Sequence, residues 1–343
     1  MARQSLYRAY RPMSFEDVAG QEQVTRPLSE QVKNGTVGHA YLFAGSRGLG
    51  KTSVARIFAR ALGSTEKDIY EIDAASNNTV EDIRQLTENV YTLPFDSKYK
   101  VYILDEAHML SKSAWNAFLK TLEEPPAHAL FILATTELEK VPETVQSRCQ
   151  VFTFKKPNRE GLAAHVTNVA KKEKMTIEPA AADLIALLAE GSYRDALSIL
   201  EKVSSVSVDK KLTLAETEEA TGAPRRALVE SFVRALSDGD TAAALEVIAS
   251  LAHEHIEYPL YLSLVLEYVR TILLIRHAPE LRKELEQDLG TDAFASVYEL
   301  ASVTETKLTH RTLAALLEAA SRMRFSPIPS LALELAVYEL AEA

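Results

Sequence analysis

The chain has 343 residues, 47% of them hydrophobic and 25% charged, with a formal net charge of −10. That length has room for about two or three domains of ordinary size. The lone cysteine, Cys149, rules out an internal disulfide or a cysteine-built zinc cluster. No uninterrupted apolar run approaches the ~20 residues of a membrane span, and Met1-Ala-Arg-Gln-Ser-Leu-Tyr-Arg8 lacks a signal-peptide core. A cytoplasmic protein with no membrane partner is expected. Residues up to 156 carry 19 basic and 19 acidic side chains, and the remainder carries 19 and 29. The overall charge gives no support to DNA binding, and if nucleic acid is touched the neutral N-terminal part is the expected surface.

Tyr10-Arg-Pro-Met-Ser-Phe-Glu-Asp-Val-Ala-Gly-Gln21 reads as a proline-punctuated loop, followed by a helix to about Asn34 that Gly35 ends. Met13 and Phe15 are expected in the core. His39-Ala-Tyr-Leu-Phe-Ala44 is a short apolar run that predicts a strand, and Ser53–Leu62 repeats apolar residues at helical spacing. Between them Gly45-Ser46-Arg47-Gly48-Leu49-Gly50-Lys51-Thr52, then Ser53, fits G-x-x-x-x-G-K-[ST] in the strand–loop–helix setting that this motif requires. Glycines at 45, 48 and 50 let backbone N–H groups turn inward onto a polyphosphate, and the head of the following helix adds to the field. Lys51 is expected to reach the outer phosphates, and the Thr52 hydroxyl to ligate Mg²⁺. Arg11 and Pro12, just ahead of this unit, read either as core or, with Val18, as candidates for an adenine pocket.

Asp68-Ile-Tyr-Glu-Ile-Asp73 alternates and predicts a strand, Asn77-Asn78 a turn, and Thr79–Val90 an amphipathic helix with a capping threonine. In Lys100-Val-Tyr-Ile-Leu-Asp-Glu-Ala-His108, four apolar residues lead into two carboxylates, which places Asp105 and Glu106 at the C-terminal end of a buried parallel strand. Asp105 is the candidate Mg²⁺ ligand, and Glu106 the group that polarises the attacking water. Taken alone, the pair is also compatible with a solvated turn; the loop at 45–53 weighs against that. Residues 111–122 predict a helix with Trp115, Leu119 and Leu122 on its core face, stopped by Glu123-Glu-Pro-Pro126. Ala129–Ala134 is a further buried strand ending in Thr135-Thr136, where a hydroxyl either senses the γ-phosphate or reflects strand propensity alone. Ser147-Arg-Cys-Gln-Val-Phe-Thr-Phe154 closes the sheet, with Arg148 at its edge and Cys149 a small buried hydrophobe.

From Lys155 onward the chain reads as helical: three short helices between Arg159 and Val203, a linker at 204–211, one helix at Leu212–Gly222, and about five between 224 and 340, divided by Pro259, Pro279, Gly290 and Ser326-Pro-Ile-Pro329. His253 and His255 have a poor spacing for a metal. The expected architecture is an α/β domain with a parallel sheet at 1–157 followed by all-α segments at 158–211 and 212–343, which the resemblance given next implies are the lid and the collar of an ATPase.

Taken together, these stretches resemble the AAA+ ATPases and, within them, the gamma/tau family of bacterial DNA polymerase III clamp-loader subunits. The resemblance runs through Leu6-Tyr-Arg-Ala-Tyr-Arg-Pro12, Phe15–Gln21, the loop at 45–53, Glu71-Ile-Asp-Ala-Ala-Ser76, Asp105-Glu-Ala-His-Met-Leu-Ser111, Leu119–Pro126, Ser147-Arg-Cys149 and Gly191-Ser-Tyr-Arg-Asp-Ala-Leu-Ser198. It implies that Thr136, alone or with Thr135, is the first sensor, that Arg148 reaches a neighbouring subunit's ATP, and that Arg194 senses the γ-phosphate in cis. It also implies ATP and Mg²⁺ as ligands, delta, delta-prime and further gamma copies as subunit partners, and a sliding clamp and primer-template DNA as targets. Ala61–Asp68 bridges, without a cysteine, the position of the family's four-cysteine module, so no zinc is expected, and the end near the collar suggests a short gamma-like form. A non-hydrolysing scaffold subunit, a Holliday-junction helicase motor or a replication-factor small subunit are the competing readings.

Overall fold

Five short apolar runs, each closed by a small or polar residue, become the strands β1 (Ala40–Ala44), β2 (Ile69–Asp73), β3 (Lys100–Asp105), β4 (Ala129–Thr135) and β5 (Gln150–Thr153). The computed structural model describes residues 4–342 apart from 255 and 290, and the side chains of 287–289 and 291–293 lie outside that description. The chain divides into two compact units, Met1–His165 with Ala186–Ser198, and Val166–Ile185 with Ile199–Ala343.

In the first unit the five strands form a wholly parallel sheet in the order β2-β3-β4-β1-β5. Its helices are α1 (Leu6–Ala9), α2 (Glu22–Asn34), α3 (Lys51–Ala61), α4 (Val80–Val90), α5 (Lys112–Glu123) and α6 (Glu143–Gln146). Successive strand residues face opposite sides. Tyr41, Phe43, Val101, Ile103, Leu130 and Ile132 pack with Val24 and Leu28 of α2 and with Val54 and Phe58 of α3. Leu42, Tyr102, Leu104, Phe131 and Leu133 face the other way, onto Ile83 and Leu86 of α4 and onto Trp115, Phe118 and Leu122 of α5. Three layers result, as a parallel sheet buried on both faces demands. β1 lies between β4 and β5, so the chain leaves β1 for the far edge and returns. The crevice at the C-terminal ends of β1, β3 and β4 is therefore the place where such a sheet receives ligands.

Several local expectations hold. Gly35, at φ 66°, ends α2, and Thr79 caps α4 reciprocally with Asp82. Met13 is a correction: it is 65% exposed, whereas Phe15 and Cys149 are part-buried against the two core faces. The three helices expected after residue 158 are α7 (Arg159–Lys172), α8 (Pro179–Leu188) and α9 (Tyr193–Val206).

In the second unit the expected linker at 204–211 shrinks to 207–210: α9 runs on to Val206, and β6 (Thr176–Ile177) pairs in parallel with β7 (Lys211–Leu212). α10 (Leu214–Thr221) follows, capped by Thr213 and ended by Gly222. Among the described residues seven helices, not five, occupy the remainder: α11 (Arg226–Asp238), α12 (Thr241–His253), α13 (Tyr258–His277), α14 (Arg282–Leu289), α15 (Thr291–Ala301), α16 (His310–Met323) and α17 (Leu331–Ala341). Pro259 marks the boundary between α12 and α13 by sitting in the first turn of α13, where its missing N–H costs nothing. Asp240 and Thr309 supply helix starts that no proline marks. Gly290 and His255 lie outside the described residues. α13 has the length and mean hydropathy of a membrane span, although Glu267 and Arg270 interrupt it. Its Tyr261, Leu262, Val265, Val269, Ile272 and Ile275 form the centre of the helical core, packed against α11, α15 and α16.

Candidate functional site

The loop after β1 is anchored by the sheet beneath it. Gly45 N–H donates to the Thr135 carbonyl (3.2 Å), and Phe154 N–H donates to that of Ala44 (2.7 Å). Gly48 sits at φ +77°, and a Cβ there would lie 1.9 Å from Ser192 Oγ, so no larger residue fits without moving Ser192. Gly50, at φ +93°, is the N-cap of α3, which leaves the first N–H groups of that helix facing forward. Lys51, the first residue of α3, is 94% buried. Its Nζ donates to the Gly45 and Ser46 carbonyls at 2.7 and 2.9 Å. Burial holds its pKa below the ordinary lysine value, opposed by Glu106 and Asp105.

Thr52 Oγ1 donates to Asp105 Oδ2 (2.8 Å), so the hydroxyl and carboxylate expected to share a metal are already paired. Asp105 Oδ1 accepts the Glu106 N–H at 3.0 Å. Glu106 adopts a left-handed backbone at φ 48°, an uncommon and costly conformation for a residue with a side chain. Its Oε2 accepts from Thr136 Oγ1 at 3.1 Å.

These groups open onto a cavity of about 660 Å³ lined by Arg11, Pro12, Val18, residues 47–53, Asp105, Glu106 and Arg194, within the size range of small-molecule sites. Arg11 Nε donates to Ser53 Oγ (2.9 Å), and burial followed by the neighbouring Arg56 lowers its pKa. The Arg194 guanidinium stands 4.8 Å from the centre of the Tyr7 ring. Gly45 and Ser46 contribute carbonyls to Lys51 without lining the cavity. Thr135, Thr136 and Arg148 also lie outside its lining. Thr135 is fully buried, whereas Thr136 faces Glu106. Arg148 donates to the Thr144 carbonyl and to Glu123 of α5.

The cavity also holds residues that sequence reasoning passed over: Tyr7, Arg56, His165 and Tyr193. Tyr7 lies inside the Leu6–Pro12 stretch already singled out, but a tyrosine beside an arginine carries no signal until the fold brings residue 194 over it. His108 was missed for the same reason. Its ring, 7% exposed, meets Thr135, Glu106 and Glu137, all brought there by the pairing of β3 with β4.

Comparison with known proteins gives a consistent picture. Residues 20–79 and 64–158 match the family described as DNA polymerase III, delta subunit; residues 162–203 match the DNA polymerase III clamp loader subunit ATPase lid domain; and residues 212–343 match DNA polymerase III subunits gamma and tau domain III. The chain is 36% identical to DNA polymerase III subunit tau of Bacillus subtilis, covering 100% of this chain and 64% of that protein. It is 31% identical to DNA polymerase III subunit gamma of Buchnera aphidicola, covering 97% of this chain and 96% of the relative. Against subunit gamma/tau of Mycoplasma pneumoniae, 39% identical over 75% of this chain, it spans only 40% of the relative's length. Among solved structures, the Thermotoga maritima RuvB Holliday junction branch migration motor aligns with a TM-score of 0.53 at 23% identity, covering 71% of this chain and 85% of that one, a likeness of fold alone.

Proposed function

This chain belongs to the DNA polymerase III gamma/tau family of clamp-loader subunits, and on that premise we propose that it is the ATP-driven motor subunit of a bacterial sliding-clamp loader. It would bind and hydrolyse ATP in the cytoplasm to open the clamp and load it on primer-template DNA. One observation carries the reading: Lys51 and Thr52 at the head of α3 face Asp105 and Glu106 in one cavity with Arg11 and Arg194.

The residues present fit a magnesium–nucleotide complex. Six cationic side chains (Arg8, Arg11, Arg47, Lys51, Arg56 and Arg194) line the cavity with three carboxylates, Asp17, Asp105 and Glu106, a balance suited to a polyphosphate carrying a divalent cation. Thr52 and Asp105 would hold the Mg²⁺. Bound Mg²⁺–ATP supplies the phosphoanhydride to be cleaved and a divalent charge that offsets negative charge on the phosphoryl oxygens. Lys51 exchanges the Gly45 and Ser46 carbonyls for phosphate oxygens, and its low pKa reflects burial that such a partner offsets. Glu106 polarises the attacking water while Thr136 orients its carboxylate. Arg11, Pro12 and Val18 line the part of the cavity suited to the base.

Arg194 is proposed to act on the nucleotide of its own subunit, and Arg148 on that of a neighbour. The position of Arg148 outside the cavity lining, half-exposed beside Glu123, supports a role in trans. We assign residues 1–157 to the ATPase domain, 158–211 to the lid and 212–343 to an oligomerising collar. Delta, delta-prime and further copies of this chain are the proposed subunit partners. The zinc module of relatives is proposed to be replaced by the short connection at 61–68.

The test is steady-state ATP turnover by the chain alone and then with cognate delta and delta-prime subunits, clamp and primed DNA. A low basal rate, raised strongly by the full mixture, is expected. Arg148→Ala in the mixture should lower the rate by about 10³-fold, the order of an arginine supplied in trans to a P-loop site. Turnover indifferent to clamp and primed DNA would overturn the clamp-loading role, and no turnover at all would favour a non-hydrolysing scaffold subunit.

A further inference from the structure

Three consecutive residues leaving β4 converge on the turn that follows β3, and they meet at His108. Thr136 Oγ1 contacts Glu106 Oε2 at 3.1 Å. Thr135 Oγ1 lies 3.1 Å from His108 Nδ1, and Glu137 Oε1 lies 3.2 Å from His108 Nε2. Nδ1 is in turn 3.5 Å from Glu106 Oε2.

The partners assign the ring's proton. Lys140 donates to Glu137 at 2.7 Å, the leading cause of a Glu137 pKa below the usual carboxylate value. An ionised Glu137 can only accept, so Nε2 carries a proton and donates to it. In the neutral ring Nδ1 is then an acceptor. The Thr135 hydroxyl donates to it while its oxygen accepts the Glu137 N–H at 3.0 Å. The Thr136 hydroxyl is left to orient the Glu106 carboxylate.

We infer that His108 is a positioning residue for Glu106: anchored by Glu137 and Thr135, it ties the end of β4 to the turn after β3 and fixes the placement of the carboxylate that polarises water. The inference rests on the proposed role of Glu106. His108 is not among the residues lining the cavity. Its loss should therefore act on turnover and spare binding.

The experiment compares His108→Ala, His108→Gln, Glu137→Ala and the double variant His108→Ala/Glu137→Ala. Turnover is measured in the full mixture of partner subunits, clamp and primed DNA, and affinity by titrating each variant chain with a fluorescent ATP analogue. His108→Ala should lower kcat about 10-fold while KM and the analogue's Kd stay within about twofold, the pattern of lost positioning in the transition state. Glutamine, which restores a donor toward Glu137, should recover part of the loss. Glu137→Ala, at a half-exposed position that tolerates truncation, should lower kcat in the same direction, and the double variant should be no worse than His108→Ala alone. If His108→Ala fails to fold, the Glu137→Ala and His108→Gln arms decide. Unchanged kcat in Glu137→Ala, additive losses in the double variant, or weakened analogue binding in place of a kcat loss would overturn the inference and leave the ATPase reading intact. Absence of turnover in the unmodified chain would overturn both.

Discussion

Two lysines in the same unit are buried to nearly the same degree, yet they sit in different kinds of place. Lys51 is 6% exposed and Lys100 4%, and burial lowers the pKa of each, opposed by nearby acids. Lys100 Nζ donates to the Asn89 carbonyl near the end of α4 and to Thr92 Oγ1, both at 2.7 Å, and stands 5.0 Å from the Tyr70 ring and 5.7 Å from the Tyr102 ring. Those partners come from separate segments, and the amine ties them together. Lys51 donates only to two carbonyls of its own loop and borders a cavity with a threonine–aspartate pair and a glutamate held in a strained backbone. A perturbed pKa therefore does not by itself mark a functional lysine. What separates the two is how much of the fold depends on the amine's present partners.

Substituting each lysine breaks that comparison if it is wrong. Lys51→Ala should abolish stimulated ATP turnover, by at least about 100-fold. It should leave thermal stability unchanged or slightly raised, because a desolvated ammonium is removed and the two carbonyls lie at the edge of a cavity. Lys100→Met should do the reverse. A bound nucleotide's Kd should move by less than about twofold, while chemical denaturation should show a loss of about 1–2 kcal/mol from the two hydrogen bonds that the amine makes between segments. Nucleotide affinity lost in Lys100→Met at full stability would remove the distinction.

The same contrast explains how much could be read in advance. The five strands, the glycine loop and helices α2 to α5 were legible because apolar runs, glycine spacing and capping residues are local signals, whereas the four-residue helices α1 and α6 carried no such signal. The meeting of Lys51, Thr52, Asp105 and Glu106 at one cavity followed from motifs placed on that frame. Contacts set by register were not legible: which of Thr135 and Thr136 faces Glu106 depends on the pleat of β4, and the meeting of His108 with Glu137 depends on β3 lying beside β4. Met13 was expected inside because it is apolar, but its loop leaves it in solvent. The supposed linker at 204–211 failed for a related reason, since Lys211 and Leu212 find their partners at Thr176 and Ile177, some 35 positions away. In the helical unit Pro259, Pro279 and the prolines at 327 and 329 do fall at helix boundaries, but two further helices begin after Asp240 and Thr309, whose side chains accept backbone N–H bonds and which no proline marks.

The Lys100 side of the comparison can be sharpened with pH. Asp68 is fully buried next to that region, and its carboxylate accepts the N–H groups of Phe95 (2.5 Å) and Asp96 (2.9 Å). Burial alone would push its pKa up, but these donors and Ser97 outweigh it, so the group stays below the usual 3.8. A carboxylate with a lowered folded pKa contributes stability that is present above the unfolded value and lost as pH falls through the folded one. Asp68→Asn should therefore cost about 1–3 kcal/mol at pH 7. The gap between variant and parent should begin to close only below the usual aspartate pKa. Parallel stability curves across that acid window would show that the carboxylate's charge is not what holds the loop at 93–97.

The smallest expected effect concerns the turn that presents Arg148. Its neighbour Cys149 packs inward against the face of the sheet carrying Trp115, and burial pushes its thiol up to about 12. Thiolate is the reactive form, and an unfolded cysteine titrates near 8.5–9. At pH 8 the folded chain should therefore react with a thiol reagent about 10³-fold more slowly than the chain in denaturant. Adding nucleotide should leave that rate unchanged, because Cys149 does not line the cavity. The result bears on Arg148 because the two side chains leave adjacent positions of the same turn. Fast native labelling would mean that this turn opens readily, and an arginine on an opening turn is not held where a neighbouring subunit's nucleotide can meet it. Slow labelling means the inward cysteine anchors the turn, so that the Glu123 carboxylate and the Thr144 carbonyl can keep the guanidinium at a fixed place on the surface.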